Sequence, residues 1–127
     1  MRTLLSIILA SVAATASHAR AGTPERPLSM EASHAPRALP RLVFFMNPNG
    51  APCQLQDRVL HEMGSQLAGR AVLVYYRTTE PADLAQFSRY GIRSLPMLVV
   101  TDGEGREVRR ATPGIHSADE IRQLLAP

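Results

Sequence analysis

The chain has 127 residues, 45% of them hydrophobic, which is enough for one modest core and leaves little room for a second domain. Its formal charge is +3, and every basic charge is arginine, with no lysine. Removal of Arg2 and Arg20 with an N-terminal leader would leave 12 arginines against 11 acids, interleaved along the chain, which argues against the concentrated basic face a nucleic acid requires.

Residues 1–21 have the build of a secretory signal. Arg2 supplies a positive start, and Leu4 to Ala14 form an apolar run broken only by Ser6 and Ser11. That run is too short to span a bilayer, so no integral membrane segment is expected after cleavage. Small residues offer cleavage after Ala16, Ala19 or Ala21, with a mature start at Arg20 or Gly22 favoured. Export would place the protein in the periplasm or outside the cell. Such oxidising compartments favour paired cysteines, yet Cys53 is the single cysteine of the chain, and no internal disulfide can form.

Residues 22–40 are rich in Pro, Ser, Ala and charge, with Pro24, Pro27, Pro36 and Pro40 and no apolar period, as in a flexible linker. A domain over residues 41–127 follows. Leu42 to Met46 is a short apolar run between Pro40 and Asn47-Pro48, the pattern of a buried strand. Pro52 suits a first helical turn, and Leu55, Val59, Met63 and Leu67, widened by Leu60, predict the buried stripe of a helix that weakens at Gly64 and ends at Gly69. Cys53 falls at the edge of that stripe, beside Leu60 and Gln56.

Val72 to Tyr76 predicts a second strand, and Glu80 to Arg89 a short helix burying Leu84 and Phe87, closed by Gly91. Met97 to Val100 and Glu107 to Ala111 predict two strands joined by the Asp102 to Gly105 turn. Ser117 with Glu120 makes a capping box before Ile121, Leu124 and Leu125. The order β-α-β-α-β-β-α combines a right-handed parallel crossover with an antiparallel hairpin. It predicts an α/β domain with a mixed four-stranded sheet and flanking helices.

Tyr90-Gly91-Ile92-Arg93-Ser94-Leu95-Pro96, the apolar strand after it, the glycine-containing turn and Gly114 resemble the C-terminal half of a thioredoxin. Gly50-Ala51-Pro52-Cys53 stands where that family carries Cys-Gly-Pro-Cys, so the resemblance to the thioredoxin-like superfamily covers Arg41 to Leu125. It implies a cis Leu95-Pro96 bond beside Cys53 and a substrate groove formed by Asn49, Gly50, Ala51, Pro52, Leu95 and Pro96.

The departures bear on chemistry. Gly50 replaces the attacking cysteine, so the dithiol cycle cannot run. Asn49 replaces the family's Trp, and Phe44 stands where many thioredoxins bury a proton-transferring Asp. Because Gly50 has no side chain to screen the inner sulfur, Cys53 is expected to be more approachable than its family counterpart. His61 and His116 are expected to be surface histidines.

Three functions compete. In the first, Cys53 is the candidate catalytic thiol and forms mixed disulfides with a protein or peptide thiol partner. In the second, the groove is a non-catalytic module that holds an extended peptide or protein through backbone hydrogen bonds. In the third, Cys53, Met46 and Met97 converge as soft ligands for Cu(I), although methionines at such positions are more often core filling. No cofactor is expected. The Asn47-Pro48-Asn49-Gly50 segment is either an anion- or carbonyl-holding loop or a plain strand-to-helix turn.

Overall fold

The structure, a computed structural model, describes residues 37–127; the expected signal and most of the expected linker lie outside the described residues. The elements are β1 (Arg41–Met46), α1 (Ala51–Glu62), α2 (Gly64–Leu67), β2 (Val72–Arg77), a 3-10 turn (Pro81–Asp83), α3 (Leu84–Arg89), β3 (Met97–Thr101), β4 (Glu107–Arg110) and α4 (Ala118–Leu125). The sheet order is β2-β1-β3-β4, with β1 parallel to β2 and antiparallel to β3, and β3 antiparallel to β4. This is the mixed four-stranded α/β architecture expected from the order of elements.

Strand β1 is central because its side chains are apolar on both faces. Leu42, Phe44 and Met46 point into a core shared with Cys53, Leu60, Met63, Leu98, Val100 and Ile121. Val43 and Phe45 point the other way, into a second core with Met97 and Val99, packed by Phe87 and Tyr90. Phe45 makes edge contacts with Phe87 and Tyr90 at ring-centroid distances of 5.1 and 5.6 Å. Full burial of such a side chain contributes about 1.5–3 kcal/mol, so the two phenylalanines of β1 anchor one core each.

The first helix buries Leu60, Met63 and Leu67 of its expected face, with Val59 packed against the same core, and departs from it at Leu55. Leu55 is exposed, whereas Cys53, Gln56 and Leu60 are the buried residues of α1, continued by Met63 and Leu67. The buried line therefore runs through positions 53, 56, 60, 63 and 67, rotated from the all-apolar stripe so that it takes in a thiol and an amide. The rotation is possible because the buried amide finds partners, as described below. The helix breaks at Met63, ahead of Gly64, and the chain leaves α2 through Gly69 in the left-handed region at φ 74°.

The third helix is also shallower than expected. Its first residue Leu84 is exposed, and Phe87 alone of the expected pair reaches the core. Ser117 caps α4 with both hydrogen bonds of the capping box to Glu120 in place. At the N-terminal entry, the Pro40 carbonyl accepts from the Val72 amide, and the Arg41 guanidinium donates to the Gly103 carbonyl.

Candidate functional site

Strand β1 ends at Met46 and β3 begins at Met97, and the antiparallel register pairs Phe45 with Met97. The Asn47 to Cys53 segment and the Leu95-Pro96 segment therefore leave the sheet at the same end, from neighbouring strands. Pro96 is fully buried, its peptide bond with Leu95 is cis, and Leu95 packs against both cores, one of which contains Cys53.

The loop before α1 is held by its own polar groups. The Asn49 amide donates to Asn47 Oδ1 at 3.1 Å, the Gly50 amide to the Asn47 carbonyl at 3.0 Å, and the Gln54 side chain to the Pro48 carbonyl at 2.9 Å. Because the turn consumes the Asn49 and Gly50 amides, they are not directed at an anion. The segment is a strand-to-helix connection.

Cys53 is 2% exposed. Its sulfur lies in the core and accepts from the Asn47 amide at 3.3 Å, so the loop folds back over the thiol. The sulfur is closed to solvent. The missing side chain at Gly50 does leave space, since a Cβ there would sit 3.8 Å from the sulfur. Rotation of α1 and the Asn47 amide close the site all the same. Asn49, Ala51 and Pro52 form its exposed outer rim.

The Cu(I) arrangement does not assemble. Met46 shares the core of Cys53, whereas Met97 points to the opposite face of the sheet, because neighbouring residues of paired strands alternate sides. Both methionines fill cores.

Next to the thiol, as the helical spacing places it, lies a residue that carries no catalytic signature and to which the sequence assigned no role. Gln56, fully buried one turn after Cys53, accepts from the His116 amide at 2.6 Å and donates to the His116 carbonyl at 3.2 Å. The loop so clamped also gives the Gly114 amide to the Pro96 carbonyl at 3.1 Å. One amide side chain thus ties α1 to the loop that braces Pro96. A polar residue in the line through Cys53, Leu60 and Met63 was the available signal. His116 is correspondingly less exposed than expected, at 13% of its side chain, with Nε2 2.7 Å from the Thr112 carbonyl. His61 is on the surface.

On the other flank, Asp57 accepts from the Tyr75 hydroxyl at 2.8 Å. Burial, and then the hydrogen bond and negative charge of Asp57, push the Tyr75 hydroxyl well above the ordinary tyrosine range, against a smaller opposing pull from Arg77. The carboxylate is thereby turned toward β2. No cluster of three or more His, Cys, Asp or Glu suited to a metal occurs among the described residues.

Beyond the loop, Arg93 and Ser94 are exposed and Leu95 is half-buried. Among the described residues, no backbone hydrogen bond engages the amides or carbonyls of these three positions. The rim of the site thus offers free main-chain groups beside Pro96.

The model of a thioredoxin-like domain matches residues 32–126. The chain belongs to the thioredoxin-like domain family. Within it, the chain is similar to a thioredoxin from Synechocystis sp., 38% identical over 68 residues that cover 54% of this chain and 62% of that protein. It is also similar to thioredoxin 1 of Nostoc sp., 37% identical over 65 residues, 51% of this chain and 59% of that one. The matched segment spans about six-tenths of the length of these relatives. A solved structure of an uncharacterized thioredoxin-like protein from Clostridium perfringens superposes with a TM-score of 0.60 at 21% identity, over 72% of this chain and 71% of that one. It shares the fold of this thioredoxin-like domain.

Proposed function

We propose that this is an exported thioredoxin-fold binding module, periplasmic or secreted, that holds an extended peptide or protein segment without thiol chemistry. The observation that carries this reading is a closed thiol beneath an open rim. Cys53 is 2% exposed, while among the described residues nothing pairs the backbone of Arg93 to Leu95, next to the exposed Asn49, Ala51 and Pro52. Unpaired N–H and C=O groups along an extended segment gain most from a second extended segment, which supplies partners in register. With Gly50 in place of a second thiol, the chain has no intramolecular route to a disulfide. Pro96 and Leu95 shape the groove, and Gln56 braces it through His116.

A titration of the isotope-labelled mature protein with S-carboxymethylated insulin B chain, a cysteine-blocked extended peptide, tests the reading. Amide shifts confined to residues 47–52 and 93–95, equal in the native protein and in Cys53→Ala, are expected. The absence of such shifts, or their loss in Cys53→Ala with stability intact, contradicts it. Export is checked by the mass of the processed protein, with a start at Gly22 or Arg20 expected and an uncut Met1 contradicting it.

A further inference from the structure

We infer that the outer edge of β2 is a self-pairing surface, on which a second copy of this chain docks antiparallel about a two-fold axis at Val74. The inference starts from the direction of the backbone groups. The Val72 amide bonds the Pro40 carbonyl and the Thr78 amide bonds the Met46 carbonyl, so the even-numbered residues of β2 face β1. In a parallel pair the N–H and C=O of one residue point to the same side, which turns those of Leu73, Tyr75 and Arg77 outward. No strand pairs with this edge among the described residues. The Arg77 amide is already used, donating to Asp83 Oδ2 at 2.8 Å. Among the described residues, what remains free is the N–H and C=O of Leu73 and of Tyr75.

An antiparallel copy centred on Val74 places Leu73 opposite the partner's Tyr75, and Tyr75 opposite the partner's Leu73. Both are hydrogen-bonding pairs, so every free group on each edge finds a partner, and the Asp83 cap marks where pairing stops. In the same register, Val74 meets its own copy and Val72 meets the partner's Tyr76. Aromatic and β-branched pairs of this kind are favourable across strands. No charge faces a like charge, because Arg77 lies opposite the partner's Ala71. Val72 is 48% exposed, a β-branched side chain left to solvent in the single chain.

The two sheet edges also differ in protection. The β4 edge is short, irregular between Val100 and Thr101, and carries Glu107, Arg109 and Arg110, which are devices that discourage edge pairing. From Val72 to Tyr76 the β2 edge has no charge and no proline. Of the described residues ahead of β1, Ala38 lies against Gly103 in the β3–β4 turn, on the far side of the sheet from β2. A second copy is therefore the occupant that the edge fits.

Sedimentation of the full mature protein, from micromolar to millimolar concentration, reads the association directly. A shift from the mass of one chain to twice that mass is expected. In a Cys53→Ser background, Val74→Cys is expected to cross-link between chains under mild oxidation, because the two positions meet on the axis about 4.5 Å apart at Cα. Val72→Cys and Val108→Cys are expected to stay single-chain. A single-chain mass at every concentration overturns the inference, as does a dimer whose chains cross-link through Val108→Cys and not through Val74→Cys.

Discussion

Position 50 decides what chemistry this domain can carry. Its backbone, at φ −88° and ψ 123°, is ordinary extended geometry open to any residue, and an added Cβ meets nothing closer than 3.4 Å. Gly50→Cys is therefore expected to fold and to form a disulfide with Cys53, since its Cβ would start 3.8 Å from the existing sulfur. Thiol counting after oxidation checks this: no free thiol is the expected count, and two free thiols would contradict the geometry. Tyr75 gives a pH signature. Burial and Asp57 raise its pKa in the folded chain, so the unfolded chain loses this proton first as pH climbs. The stability associated with Tyr75 is thus complete below about pH 10 and is lost at higher pH. Chemical denaturation across the alkaline range is expected to show a smaller loss in Tyr75→Phe than in the native chain, and an identical loss would refute the assignment.

At the scale of elements, α1 shows both what patterning reveals and where it stops. Strand β1 was legible because five consecutive apolar residues between prolines have few other uses in a small domain, and all five are buried. The helix was legible, and Val59, Leu60, Met63 and Leu67 of its expected stripe reach the core, but Leu55 does not. Apolar periodicity weighs Leu55 above Gln56, whereas the fold buries Gln56 because His116 supplies it with both a donor and an acceptor. That partner lies sixty positions away in sequence and leaves no local trace. Gln56→Ala, which strands both backbone groups of His116 and opens a void, is expected to cost about 2–4 kcal/mol. Leu55→Ala on the exposed side is expected to stay within about 0.5 kcal/mol. Urea unfolding of the pair checks this, and equal losses would mean that the helix sits in the orientation its apolar residues suggest.

At the scale of the whole molecule, the two halves of the site come together because β1 and β3 are antiparallel neighbours, so that the end of β1 and the start of β3 lie side by side. The thioredoxin-like fold was readable from element order together with the Leu95-Pro96 segment and the placement of Cys53. Accessibility of the thiol was not readable, because it depends on the rotation of α1 and on the Asn47 amide folding back over the sulfur. Those two features make a core residue of the position that the family uses for its inner thiol, and the proposed binding at the rim rests on that closure. Reaction of the folded mature protein with a chromogenic disulfide reagent, with and without denaturant, measures this most directly. Labelling of Cys53 no faster than the chain unfolds, and rapid stoichiometric labelling once denatured, is the expected result. Immediate stoichiometric labelling of the folded protein would contradict it.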